Sequence, residues 1–246
     1  MQLQFVGSGD AFGSGGRFNT CFHLVGRNLN TLIDCGATSL VSMNKLAINR
    51  NEIETILITH FHADHIAGLP FFILEANYVL KRKTSLTVAG PPGLKSRYAA
   101  LMETTFPGAQ ATDWSFPLTL REFEIGKPNE VGHMRVTPSR VLHDERAGPC
   151  LGLRIEAEGK VIAYSGDSQW TDSLVEVGRN ADLFICEASS FERNDPSPHI
   201  SYTQLMAHRA EIGAKRIVLT HLGAETLARV SELELEYATD GSTVEV

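Results

Sequence analysis

The segment Thr59-His60-Phe61-His62-Ala63-Asp64-His65 sets three histidines and an aspartate within six residues. Imidazole nitrogen and carboxylate oxygen are donors that zinc-type ions take at about 2.0–2.2 Å. A lone histidine is more often a core or surface residue than a ligand. This density of donors, directly after the β-branched run 54–59, points instead to a metal site. On a strand, His60, His62 and Asp64 would share a face while His65 pointed away, and on a helix positions two apart would diverge. An irregular loop is therefore expected, with all four side chains turned inward. Small Ala63 and Gly68 suit a backbone pressed close to metal and helix.

The pattern His60-x-His62-x-Asp64-His65 resembles the HxHxDH motif of the metallo-β-lactamase superfamily, and later landmarks follow in that family's order. His143 ends Arg140-Val141-Leu142-His143, Asp167 lies in Tyr164-Ser165-Gly166-Asp167-Ser168, and His221 lies in Val218-Leu219-Thr220-His221-Leu222. Each follows an apolar run that reads as a strand, so all can meet at one edge. The resemblance covers nearly the whole chain. It implies one metal held by His60, His62 and His143, a second held by Asp64, His65 and His221, and Asp167 bridging both. An aspartate at 167, where a cysteine would indicate a zinc β-lactamase, favours the paired-metal hydrolases. The ions implied are two divalent cations, zinc foremost, with manganese or iron also suited to these ligands.

Paired metals about 3.5–4 Å apart bridge a water, lower its pKa and neutralise charge on the attacked group. A metal-bridging hydroxide of this kind suits phosphodiesters, and also esters, thioesters and lactams. The leaving group still needs a proton donor. Glu187-Ala188-Ser189-Ser190-Phe191 and His199-Ile200-Ser201 resemble motifs of the tRNase Z-like branch. On that resemblance His199 protonates the departing oxygen or stabilises the phosphoryl charge, and Glu187 orients it or tunes its pKa. Asp64, His199 and Glu187 are thus the candidate catalytic residues. His199 has a second reading as an exposed histidine after the polar, proline-rich turn 195–198, and Glu187 as a buried, satisfied carboxylate. Ser201 reads as a helix cap. The tRNA-processing relatives carry an arm between the landmarks matching His143 and Asp167. Here that interval has room for two strands and a turn. Arg146, within it, is either a phosphate contact or a solvated loop charge.

The elements that must carry these residues are short. Strands are expected over 3–6, 21–25, 30–34, 54–59, 86–89, 134–141, 151–156, 161–164, 183–186, 217–219 and 243–246. Helices are expected over 39–47, 66–81, 94–105, 173–177 and 202–212, the last opened by a capping box at Ser201 and Gln204. The glycine-rich stretch 7–16 lacks the lysine and spacing of a phosphate-cradling P-loop, and 106–128 reads as irregular. Two sheets covered by helices follow, an α/β fold of the four-layer αββα sandwich type, as a single domain over 1–246. His23, His133 and His208 read as structural or surface residues.

The 246 residues, 43% apolar and 21% charged, can bury a sizeable core, and a net charge of −7 disfavours a surface built for nucleic acid or anionic lipid. No signal peptide is apparent and no run approaches a membrane span. Dispersed Cys21, Cys35, Cys150 and Cys186 read as reduced, mostly buried thiols, and the location expected is cytoplasmic. The apolar segment 70–80 reads as a core helix that also offers a face for a homodimer. The leading expectation is a phosphodiesterase acting on a small or cyclic phosphodiester. Its alternatives are a tRNA 3′-end endonuclease acting on RNA with a partner replacing the arm, an ester, thioester or lactone hydrolase, and a non-catalytic metal-binding protein.

Overall fold

The computed structural model describes residues 1–192 and 196–246. The turn expected over 195–198 thus begins at a residue, Asp195, outside the described residues. The apolar runs fold into two seven-stranded sheets. The first half of the chain forms Gln2–Gly7 (β1), Cys21–Val25 (β2), Asn30–Ile33 (β3), Thr55–Leu57 (β4), Leu86–Gly90 (β5) and Leu118–Glu122 (β6). The second half forms Asn129–Val131 (β7), Met134–Val141 (β8), Cys150–Ala157 (β9), Lys160–Tyr164 (β10), Leu183–Glu187 (β11), Ile217–Thr220 (β12), Glu236–Tyr237 (β13) and Thr243–Glu245 (β14). Helices are Ser39–Lys45 (α1), Ala63–Ile66 (α2), Leu69–Tyr78 (α3), Leu94–Thr105 (α4), Ser173–Gly178 (α5), Tyr202–Ile212 (α6) and Ala224–Ala228 (α7). Strand order is β14-β1-β2-β3-β4-β5-β6 in one sheet and β13-β12-β11-β10-β9-β8-β7 in the other, so the final strand returns to pair with the first.

Strand alternation sorts the core into three apolar layers. Leu57 and Ala89 face the space between the sheets with Phe5, Phe22, Leu153 and Tyr164. Their neighbours Ile56 and Val88 face outward, against Phe72, Ile73 and Met102 of α3 and α4. On the far side Ala163, Phe184 and Leu219 pack against Leu174 of α5 and Leu205 and Ile212 of α6. Three apolar interlayers require four layers, the expected αββα sandwich. The Ser201 hydroxyl accepts from the Gln204 N–H at 3.2 Å, and the Gln204 amide oxygen accepts from the Ser201 N–H at 3.2 Å, closing the capping box that starts α6. All four cysteines are buried free thiols. Among the described residues no helix is long and apolar enough to cross a membrane.

The structure corrects several expectations. The stretch 106–128 is not wholly irregular, because it holds β6, an edge strand parallel to β5 whose polar Thr119, Arg121 and Glu122 mask the pattern. The short β7, β13 and α7 also went unanticipated; β7 and β13 depend on pairing with a neighbour for their existence. The helix expected over 66–81 is α3, Leu69–Tyr78; Ile66 instead ends α2, and the two are separated at Gly68, where an added Cβ would lie 2.4 Å from the Gly36 carbonyl oxygen. This close approach ties the helix to the loop after β3. α3 buries Phe72, Ile73 and Ala76 but exposes Phe71 and Tyr78.

Candidate metal centre

The carboxyl ends of six strands converge on one edge of the sandwich. β3 leads to Asp34, β4 to His60, β8 to His143, β10 to Asp167 and β12 to His221, while β11 ends on Glu187. Backbone bonds join the two sheets there: Leu151 N–H donates to the Thr59 carbonyl at 3.1 Å, and His221 N–H donates to the Ser8 carbonyl at 3.0 Å. Gly166, at φ +60, makes the turn that swings Asp167 inward, where a Cβ would lie 2.4 Å from the Leu151 carbonyl oxygen. His221 itself has φ +56, the backbone strain that a packed site sustains.

The histidine segment is not the continuous loop expected. His62 has extended backbone and precedes α2, and Asp64 and His65 lie on that helical turn. The His62 carbonyl accepts from the His65 and Ile66 N–H groups at 3.0 and 3.1 Å. The change from extended to helical backbone lets adjacent residues reach one place, which neither regular conformation alone would allow.

Four overlapping donor groups result among the described residues, and two of them contain residues of the histidine segment. In the first, His62 Nδ1 lies 3.1 Å from both His60 Nε2 and His143 Nε2. In the second, Asp64 Oδ2 lies 3.2 Å from His65 Nε2 and 3.3 Å from His221 Nε2, and Asp167 Oδ2 lies at the same two distances from the same nitrogens. Asp167 Oδ2 is also 3.9 Å from His60 Nε2 and from His143 Nε2, so it faces both groups. Donors held 2.0–2.1 Å from a tetrahedral ion stand about 3.3–3.4 Å apart. The observed spacings approach that edge length. His65 Nε2 and Asp167 Oδ1 are buried without a hydrogen-bond partner, a costly state that coordination relieves.

Charge points the same way. Asp34, Asp64, Asp167 and Glu187 are all buried, and among the described residues their ion pairs are to histidines. Burial keeps the His60 imidazole well below the usual histidine range, which preserves its lone pair for a metal. Burial also opposes a charged His65, but Asp167, Asp64 and Asp34 outweigh it and hold that imidazole well above the usual range. A pocket that attracts a proton this strongly attracts a divalent cation for the same reason. These residues can hold a divalent metal.

His199 and Glu187 meet beside the donors. His199 Nδ1 is 3.0 and 3.1 Å from the two Glu187 carboxylate oxygens, and Glu187 Oε1 accepts from the Ser168 N–H at 2.6 Å. Burial works against a charged His199, yet Glu187, with Asp167 and Asp64 behind it, pushes its pKa up to about 9. Both residues adjoin or line a cavity of about 480 Å³ with exposed Phe12 and Arg146 at its rim and Asp64, Asp167 and His221 within. Arg146 lies against Asp144, its Nε 2.8 Å from Oδ1 and its Nη2 2.9 Å from Oδ2.

Sequence reasoning overlooked Asp34. It is fully buried, has φ +59, and accepts from the Thr59 N–H and hydroxyl at 2.8 Å each while its Oδ2 contacts His65 Nδ1 at 2.7 Å. The available signal was an acid ending an apolar strand run just before Cys35-Gly36. The other histidines are elsewhere: His23 Nε2 bonds Asn30 at 2.7 Å, His208 stacks on Trp170 at 4.1 Å, and His133 is exposed.

The family model for anti-Pycsar protein Apyc1 matches residues 1–238. A ribonuclease Z of Bacillus velezensis is 27% identical, the alignment covering 91% of this chain and 88% of that protein. Human tRNase Z, short form, shares the fold with a TM-score of 0.78 at 23% identity, over 100% of this chain and 99% of that one. A diphosphatase from the PhnP family has a TM-score of 0.79 at 19% identity, over 100% and 97%.

Proposed function

Because the chain belongs to the anti-Pycsar protein Apyc1 family, a tRNase Z-like branch of the metallo-β-lactamase superfamily, we propose that it is a phosphodiesterase acting on a small or cyclic phosphodiester. The broader class, a metal-dependent hydrolase, is supported by its ribonuclease Z relatives. The observation that carries the reading is the position of Asp167 Oδ2, which faces both donor groups at 3.2–3.9 Å. On this reading His60, His62 and His143 hold one ion, Asp64, His65 and His221 a second, and Asp167 both. Zinc is the ion proposed, since nitrogen-rich sets with carboxylate suit it, and manganese or iron are the alternatives.

When bound, such a pair supplies Lewis-acid stabilisation of phosphoryl charge and a nucleophilic water at neutral pH. The chain's own residues do the rest. Glu187 holds His199 through Nδ1, leaving Nε2 to deliver a proton to the departing oxygen. Asp64, at the cavity wall, orients the attacking water.

A small substrate is favoured by a cavity of about 480 Å³, within the range of small-ligand pockets. β9 and β10 are joined by a tight turn at Glu158-Gly159, so among the described residues the interval between His143 and Asp167 holds no arm for gripping tRNA. The ribonuclease Z relative supports the second reading, RNA cleavage with a partner supplying the grip. A homodimer joined over the exposed Phe71 and Tyr78 of α3 belongs to the same proposal, and sedimentation of the protein tests it.

Metal-loaded protein is expected to hydrolyse bis-p-nitrophenyl phosphate and a cyclic alkyl phosphodiester, and His199→Ala to lose about 10²–10⁴-fold of the rate on the second, whose alkoxide must be protonated to leave, with metal content intact. Cleavage of a pre-tRNA transcript in preference would promote RNA as the substrate. Turnover confined to aryl esters or lactones and indifferent to His199 would overturn the phosphodiesterase.

A further inference from the structure

Each histidine of the first donor group has its other ring nitrogen turned to a different partner. His60 Nδ1 lies 3.1 Å from the Thr59 hydroxyl, and His143 Nδ1 lies 2.9 Å from the Pro198 carbonyl oxygen. His62, which offers Nδ1 to the group, has Nε2 3.5 Å from Asp144 Oδ2. Asp144 is thus the charged member of this outer set. It serves the histidine that most needs support, since the His62 side chain is 34% exposed whereas those of His60 and His143 are almost wholly covered. A carboxylate taking the far N–H of a metal-bound imidazole fixes its tautomer and ring orientation and makes it a stronger donor.

Asp144 is itself held in place. It caps the turn Glu145–Ala147 by accepting from the Arg146 N–H at 3.0 Å, and the Arg146 guanidinium grips both carboxylate oxygens. The clamp restricts the carboxylate to a rotamer with Oδ2 on the His62 side. We infer that Asp144 is a positioning residue for metal binding, acting through His62, with Arg146 as its holder. The inference rests on the proposed metal set and adds to it a residue that none of the motifs contains.

The test is zinc titration of the metal-free full-length chain in competition with a chromophoric chelator, for the wild type, Asp144→Ser and Arg146→Ala. Serine keeps the cap on the Arg146 N–H but is too short to reach His62, so the turn survives; matching melting curves check this. Wild type is expected to show two binding steps. Asp144→Ser should loosen one of them about 10–100-fold and leave the other in place. Arg146→Ala, which keeps the carboxylate but frees its rotamer, should loosen the same step by a smaller factor. The visible d–d spectrum of the cobalt-loaded protein should shift in Asp144→Ser and by less in Arg146→Ala. Equal losses in the two variants would make Asp144 a loop anchor and overturn the inference, as would two unchanged binding steps. A wild type that binds no zinc would fell the metal reading itself.

Discussion

Asp34 Oδ2 lies 2.7 Å from His65 Nδ1, and neither side chain is exposed to solvent. The contact leaves His65 Nε2 as the atom facing Asp64 and Asp167, so an acid at the end of β3 decides which nitrogen of a histidine on α2 enters the donor group.

Asp34→Asn removes the charge while keeping a residue that tolerates positive φ. Metal affinity is expected to fall about 10–100-fold with the fold retained. Zinc kept against graded chelator, alongside an unchanged circular dichroism spectrum, measures this; full retention of zinc would make Asp34 a packing residue.

Glu187→Gln should move the pH profile. A proton donor works below its pKa, so the rate falls as pH rises through that value. In His199 burial lowers the pKa and Glu187 more than restores it, to about 9. Bound cations repel the imidazolium and draw the wild-type limb below that value. Removing the Glu187 charge takes away the raising influence, so the alkaline limb of kcat/KM for a cyclic alkyl phosphodiester, whose alkoxide must be protonated to leave, should shift to lower pH. An identical limb in the two proteins would separate His199 from proton delivery.

Stripping the metal should destabilise the protein, because among the described residues four buried carboxylates then have only histidines to balance their charge. An ion at 100 times its dissociation constant contributes about 2.7 kcal/mol to the folded state. For a chain of this size that corresponds to a fall in Tm of about 5–10 °C on adding chelator. Scanning calorimetry reads it directly, and a Tm indifferent to chelator would contradict the metal assignment.

Arg82 is buried and donates to the carbonyls of Thr84, Arg50, Asn51, Ile53 and Ser85 at 2.6–3.3 Å. Arg82→Ala strands these acceptors, each of which costs about 1–3 kcal/mol if left unsatisfied. A loss of at least about 3 kcal/mol in urea unfolding is expected, with metal binding per folded molecule unchanged because the residue is remote from the donors.

The sequence by itself determined which side chains were available for coordination and that each followed an apolar run. Periodicity then placed them at strand ends, and the αββα layering followed from runs that had to be covered on both faces. Local chemistry was equally legible at Ser201 and Gln204, where a cap requires only neighbours three residues apart. The tertiary structure alone decided what depends on partners distant in the chain. β6, β7 and β13 exist through pairing, since their own residues carry little apolar signal. Asp34 and Asp144 gain their places because β3 and the turn after β8 end beside histidines that come 31 and 82 residues away in sequence. A lone acid has no periodicity to betray such a contact. The change from extended chain to helix within the histidine segment was hidden for a related reason: it is set by where Gly68 lets the helix approach the β3 loop, a clearance that only the packed backbone defines.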